Sequence, residues 1–168
     1  MNTNIFVGTW VLTGSISTNS EIQFINGLPD RKGVPNWLNG TSQELVEQTK
    51  PSEGLVLTIA QNKKFEEKKT GDPKVKWFNY EGVESNNVEP FDGQLKLSKS
   101  RAYLIADNIP SWAMPENRKS TVKLRYDDGD TKIADFIEVI NDRLVRTINV
   151  VTDELYLDRV IIVYQKLK

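Results

Sequence analysis

Three consecutive stretches decide how this chain folds: Lys132–Ile140 (KIADFIEVI), Arg143–Val151 (RLVRTINVV) and Leu155–Leu167 (LYLDRVIIVYQKL). Each is rich in Val and Ile, which suit a pleated and half-buried surface, and short polar linkers separate them. The spacing predicts three antiparallel strands joined by tight hairpins. If Asn141-Asp142 forms a two-residue turn, Ile137 pairs with Arg146 and Asp135 with Ile148. If Asp153-Glu154 forms the next turn, Ile148 pairs with Arg159 and Arg146 with Ile161. That register puts Asp135, Arg146 and Arg159 on one face. The other face carries Phe136, Glu138, Thr147, Asn149, Tyr156, Val160, Ile162 and Tyr164. Whichever face points inward, polar groups are buried, and an unsatisfied one costs about 1–3 kcal/mol. A mixed lining suits a cavity holding water or a ligand; an exposed ladder of ion pairs is the alternative for Asp135, Arg146 and Arg159.

Strand signals continue upstream. Ile5–Ile16, Leu55 through Phe65, Val75–Tyr80, Gln94–Leu97, Ala102–Ala106 and Thr121–Tyr126 read as further strands, the last with Val122, Leu124 and Tyr126 on one face. Such a meander predicts an all-β chain: one antiparallel up-and-down barrel of about eight to ten strands, forming one domain over residues 1–168. The one good helix signal is Thr41–Lys50, opened by the capping box Thr41-Ser42-Gln43-Glu44 and closed by Pro51. It lies in a long irregular insertion, residues 17–53, whose length suggests a lid or binding loop. Lys63–Lys69 is charge-balanced and reads as a solvated strand end.

Composition narrows the chemistry. Of 168 residues 38% are hydrophobic, enough for one core, and 22 basic residues against 23 acidic ones leave no field to recruit nucleic acid. The absence of cysteine removes disulfides and thiolate chemistry and leans towards the cytoplasm. The absence of histidine removes imidazole as base, metal ligand or haem ligand. Asp127-Asp128-Gly129-Asp130 lacks the distal glutamate of a calcium loop and reads as a turn, so neither metal nor other cofactor is expected. No stretch approaches the roughly 18 apolar residues of a membrane-spanning helix, and Met1-Asn2-Thr3-Asn4-Ile5 shows no basic region followed by an apolar run, so an unexported chain is expected.

Near the start, Phe6-Val7-Gly8-Thr9-Trp10-Val11-Leu12 carries Gly-x-Trp, and the last strand ends in Val163-Tyr164-Gln165-Lys166. This pairing resembles the calycins, the superfamily of lipocalins and fatty-acid-binding proteins, whose first strand carries Gly-x-Trp and whose terminal strands close beside it. The stretch Ile133–Lys166 is similar to the last three strands of a fatty-acid-binding protein. The resemblance implies that the connection after the first strand covers the barrel mouth and that the interior is the site. It departs at Ile162, where fatty-acid-binding proteins usually have arginine two residues before the tyrosine, and Thr152-Asp153-Glu154-Leu155-Tyr156 keeps only the first two residues of a lipocalin motif. Gly8 and Trp10 are expected to be structural, Trp10 plugging the closed end while Gly8 admits a close neighbour.

The connections are unusually apolar. Val34-Pro35-Asn36-Trp37-Leu38 and Ile109-Pro110-Ser111-Trp112-Ala113-Met114-Pro115 each frame a tryptophan with proline, fitting a barrel mouth, a dimer interface or a satellite core. The reading preferred is a binding protein for a small hydrophobic or amphipathic molecule. Trp37 and Trp112 would stand near its entrance, Trp77, Tyr126, Phe136 and Tyr164 would line it, and Arg146 would anchor a polar end. A barrel-type isomerase, cyclase or chromophore lyase is the alternative, its acid and base drawn from Glu138, Asp135, Tyr126 or Tyr164 with Arg146. The third class is an interaction module whose tryptophan loops bind another protein or a second copy of the chain.

Overall fold

Val- and Ile-rich segments alternating with turn residues form a meander here, each strand pairing with the next. The computed structural model describes residues 3–21, 24–25, 28–29, 33–73, 75, 77–78, 84–85, 90, 92–98, 101–106, 124–127, 131–152 and 155–167. Among these, eight strands close into an antiparallel up-and-down barrel: β1 (Gly8–Glu21), β2 (Leu55–Ile59), β3 (Lys64–Lys69), β4 (Asp92–Ser98), β5 (Arg101–Ala106), β6 (Thr131–Ile140), β7 (Arg143–Thr152) and β8 (Tyr156–Lys166). β1 pairs with β8, and Ala102 and Tyr103 pair with Ile137 and Phe136 to close the ring between β5 and β6. The segment Lys50–Pro51 adds to β1, and Leu124–Asp127 adds to β6. Trp77–Phe78 and Glu84–Ser85 form a separate ribbon. No described helix is long and apolar enough to cross a membrane.

The two C-terminal hairpins treat the expected register differently. Asn141 and Asp142 both adopt positive φ, 53° and 63°, a conformation that Asn and Asp tolerate and that a two-residue hairpin requires. Ile137 therefore faces Arg146 and Asp135 faces Ile148, as expected. At the next hairpin Thr152 pairs with Tyr156, so three residues rather than two make the loop. Every partner on β8 moves by one: Arg146 faces Ile162, and Ile148 faces Val160. Since strand side chains alternate, this shift turns Arg159 away from Arg146 and brings Val160, Ile162 and Tyr164 onto its face.

Upstream, the run Leu55–Phe65 is two strands, broken where Lys63 adopts φ 71° and donates from its backbone N–H to Ala60 O at 3.1 Å. The helix expected at Thr41–Lys50 is shorter. Ser42, not Thr41, is the cap, its hydroxyl accepting from Leu45 N at 3.3 Å, and the helix α2 spans Gln43–Glu47 after a first short helix α1 (Val34–Leu38).

The two ends of the barrel differ. At one end lie the tight turns at 60–63 and 141–142, together with the paired Ser98 and Arg101, Gly8 and Lys166. Here Trp10 is buried and its indole N–H donates to Phe6 O at 2.8 Å. A Cβ on Gly8, which has φ 140°, would lie 2.7 Å from Lys166 Cε, so the close neighbour is a side chain. The connections 22–54, 70–91 and 107–130 all leave from the opposite end. Inside, Leu12, Leu57, Leu104, Ile137 and Ile162 belong to one apolar cluster drawn from strands around the ring.

Candidate functional site

The inward face of the barrel carries a polar cluster set in this aliphatic lining. Asp135 alternates with the inward Ile133 and Ile137 on β6, Arg146 with Leu144 and Ile148 on β7, and Tyr164 with Ile162 on β8. Glu67 follows the inward Phe65 by two positions on β3 and reaches the same point from across the barrel. Arg146 is gripped in a fork: its Nε donates to Asp135 Oδ1 at 2.8 Å and its Nη2 to Asp135 Oδ2 at 2.7 Å. Its Nη1 lies 2.9 Å from Glu67 Oε1 and donates to the Tyr164 hydroxyl at 3.3 Å. Arg146, Asp135 and Tyr164 have no solvent-exposed surface, and Glu67 has only 4%.

Burial disfavours a charged guanidinium, but Asp135 and then Glu67 outweigh that and hold Arg146 protonated well above its ordinary range. For Tyr164 burial dominates and pushes the phenol up to about 12, although Arg146 pulls the other way. The tyrosine is therefore a neutral hydroxyl across the physiological range, able to donate one hydrogen bond while accepting one from Arg146.

The exposed ladder of ion pairs is overturned. Asp135 and Arg146 pair inside the barrel, whereas Arg159 is half-buried on the outer side and donates from Nε to Asn149 Oδ1 at 2.7 Å. Burial lowers the pKa of Arg159. Glu138, named as an acid or base, also lies outside, 3.6 Å from Arg101. Phe136 points away from Arg146: it pairs with Thr147, sits beneath the Arg101 guanidinium at 4.0 Å from its ring centroid, and packs on Tyr103.

Trp37 is on that outer wall too. It packs against the cluster of Leu38, Tyr103, Ala134, Phe136, Val151 and Leu157, so neither it nor Phe136 shares a site with Arg146 and Tyr164. Residues 33–53 of the insertion cover the outside of β6, β7 and β8, and residues 17–21 extend β1. α1 packs on Phe136 and Val151, and Val46 of α2 on Val145, Ile161 and Val163. The reason is that the strands are apolar on both faces, and the outer apolar stripe requires its own cover. Polar bonds fix the turn after α1: Asn149 Nδ2 donates to Leu38 O at 2.9 Å and Gly40 O at 2.7 Å, and Arg101 Nη1 donates to Asn39 O at 2.8 Å. A Cβ on Gly40 would come within 2.7 Å of Arg159 Nη2.

Three expected residues are left. Trp77 is paired with Ser85 in the small ribbon, and Tyr126 belongs to the strand beside β6, but their side chains are not among those described. Trp112 lies outside the described residues. The connections 70–91 and 107–130 leave from the end opposite Trp10. Glu67 was missed, having been read within the solvated run Lys63–Lys69. The signal was its alternation with Phe65, which puts both on one face.

No family model and no curated protein matches the chain. Among solved structures, it is similar to fatty-acid-binding protein 1 of Echinococcus granulosus, with 12% identity, TM-score 0.42, and 98% of this chain and 99% of that one covered. It is also similar to a zebrafish ileal bile-acid-binding protein complexed with cholic acid, with 10% identity, TM-score 0.35, and coverage of 97% and 99%. A protein of unknown function from the DUF3598 family of Nostoc punctiforme gives 10% identity and TM-score 0.40, over 99% of this chain and 49% of that one. At these scores the likenesses carry no argument about function.

Proposed function

We propose that the chain is a binding protein that holds a small hydrophobic or amphipathic molecule non-covalently inside the barrel, with the guest's polar end near Arg146 and Tyr164. The observation that supports this is the form of the interior: an aliphatic lining interrupted by the polar cluster around Arg146, in a barrel whose ends differ. Trp10 and tight turns close one end, and three long connections leave the other, which makes the latter the route for a guest. Val75, from the connection 70–91, is buried in the inner apolar cluster, so a guest entering there displaces it. The cysteine-free sequence supports a reducing compartment such as the cytoplasm.

The test is native mass spectrometry of the full chain purified from its own host without denaturation, followed by organic extraction. A defined adduct released into the organic phase, and reduced by Tyr164→Phe, supports the reading. An empty protein that also stays empty across a panel of lipophilic molecules contradicts it. That outcome favours a second reading, a packed barrel acting as an interaction module, for which the near-complete burial of Arg146, Tyr164 and Val75 speaks.

A further inference from the structure

The polar locus inside the barrel contains one guanidinium and two carboxylates, and this ratio decides which head group it accepts. The N–H directions of Arg146 are turned towards protein acceptors: Nε and one Nη2 hydrogen face Asp135 at 2.8 and 2.7 Å, and Nη1 faces Glu67 at 2.9 Å. Nη1 also donates to the Tyr164 hydroxyl at 3.3 Å, so both sides of the fork are turned towards protein acceptors. An arginine that binds an incoming carboxylate must direct its fork at that carboxylate. Here it could do so only by releasing Asp135 or Glu67, each of which would remain as a buried charge separated from its cation.

We infer that, in the binding reading proposed above, the barrel takes an uncharged hydrogen-bonding head group, an alcohol or a primary amide, and rejects the carboxylate of the same chain length. An alcohol adds no charge. It can accept from the Tyr164 hydroxyl or donate to a carboxylate oxygen while leaving the Asp135–Arg146 fork intact. A carboxylate would instead sit as a third anion within a few ångströms of two others, where a like charge shifts ionisation by about 1–3 pKa units, or about tenfold to a thousandfold in binding. The position two residues before Tyr164 does not relieve this, because Ile162 supplies no second cation.

Decanol, decanamide and decanoate, which share a chain length, separate the head group from the apolar tail. Each is titrated into the full chain at neutral pH, following tryptophan emission and heat. Decanol or decanamide is expected to bind at least about tenfold more tightly than decanoate, and Glu67→Gln or Asp135→Asn to narrow that ratio. Decanoate binding as tightly as decanol, or more tightly, would overturn the inference while leaving the binding reading in place. Failure of all three probes in the wild-type chain would overturn both. The wild-type comparison needs no variant, so the test stands even if neither substitution folds.

Discussion

At the scale of single residues, Arg146 organises the interior. A buried ion pair is weak evidence for stability, because desolvation offsets much of the attraction, yet breaking it from one side is costly. Asp135→Ala should therefore destabilise the fold by about 3–5 kcal/mol in denaturant unfolding, since it leaves the Arg146 fork unanswered. Replacing Asp135, Glu67 and Arg146 together with apolar residues of similar volume should cost much less, and a triple variant as unstable as Asp135→Ala would contradict this. Tyr164 gives a pH signature. Its folded value of about 12 lies above the ordinary phenol value of about 10 in the unfolded chain, so burial favours the neutral form. The stability linked to it is complete below about pH 10 and is lost as pH rises from about 10 towards about 12. In an ultraviolet titration, Tyr164 should ionise at about 12, and Tyr164→Phe should remove that late step; a titration curve whose high-pH part is unchanged by Tyr164→Phe would refute it.

At the scale of elements, residues 33–53 form an outer strap. An irregular insertion after the first strand suggested a lid, but the outer faces of β6, β7 and β8 carry Phe136, Val145, Val151, Ile161 and Val163, too apolar to leave in water. α1 and α2 cover them. Asn149 holds the turn after α1 through two carbonyls, so Asn149→Ala should destabilise the chain by about 1–3 kcal/mol. It should also speed amide exchange across residues 33–41 more than in β2 or β3; uniform exchange would show that the turn is held otherwise. The β6–β7 register was legible because Asn141-Asp142 admits essentially one hairpin. The β7–β8 register was not, because Thr152-Asp153-Glu154-Leu155 is compatible with loops of two or three residues, and one residue reverses every side chain. That reversal separates an Arg146–Arg159 face from the observed face of Arg146, Ile162 and Tyr164.

At the scale of the whole molecule, the barrel itself was legible. Alternation of Val- and Ile-rich strands at hairpin spacing leaves an antiparallel meander few ways to protect its edges, and closure removes them. The location of the site was legible only in part. Arg146, Asp135 and Tyr164 are inside, while Trp37, Phe136 and Glu138 are outside, because these strands are buried on both faces and apolarity alone does not say which face is inward. Glu67 joins the cluster through a contact between strands distant in sequence: alternation with Phe65 marks its face, but not its partner.

The central claim is that a guest lies within the barrel beside Arg146 and Tyr164. Nuclear magnetic resonance of the labelled chain during titration with decanol tests it most directly. The account predicts saturable shifts at the Arg146 Nε–H and at the amides of Ile148 and Ile162, with those of α1 and α2 unmoved. Shifts confined to α1, α2 and the outer faces of β6 and β7, with Arg146 unchanged at saturation, would contradict it.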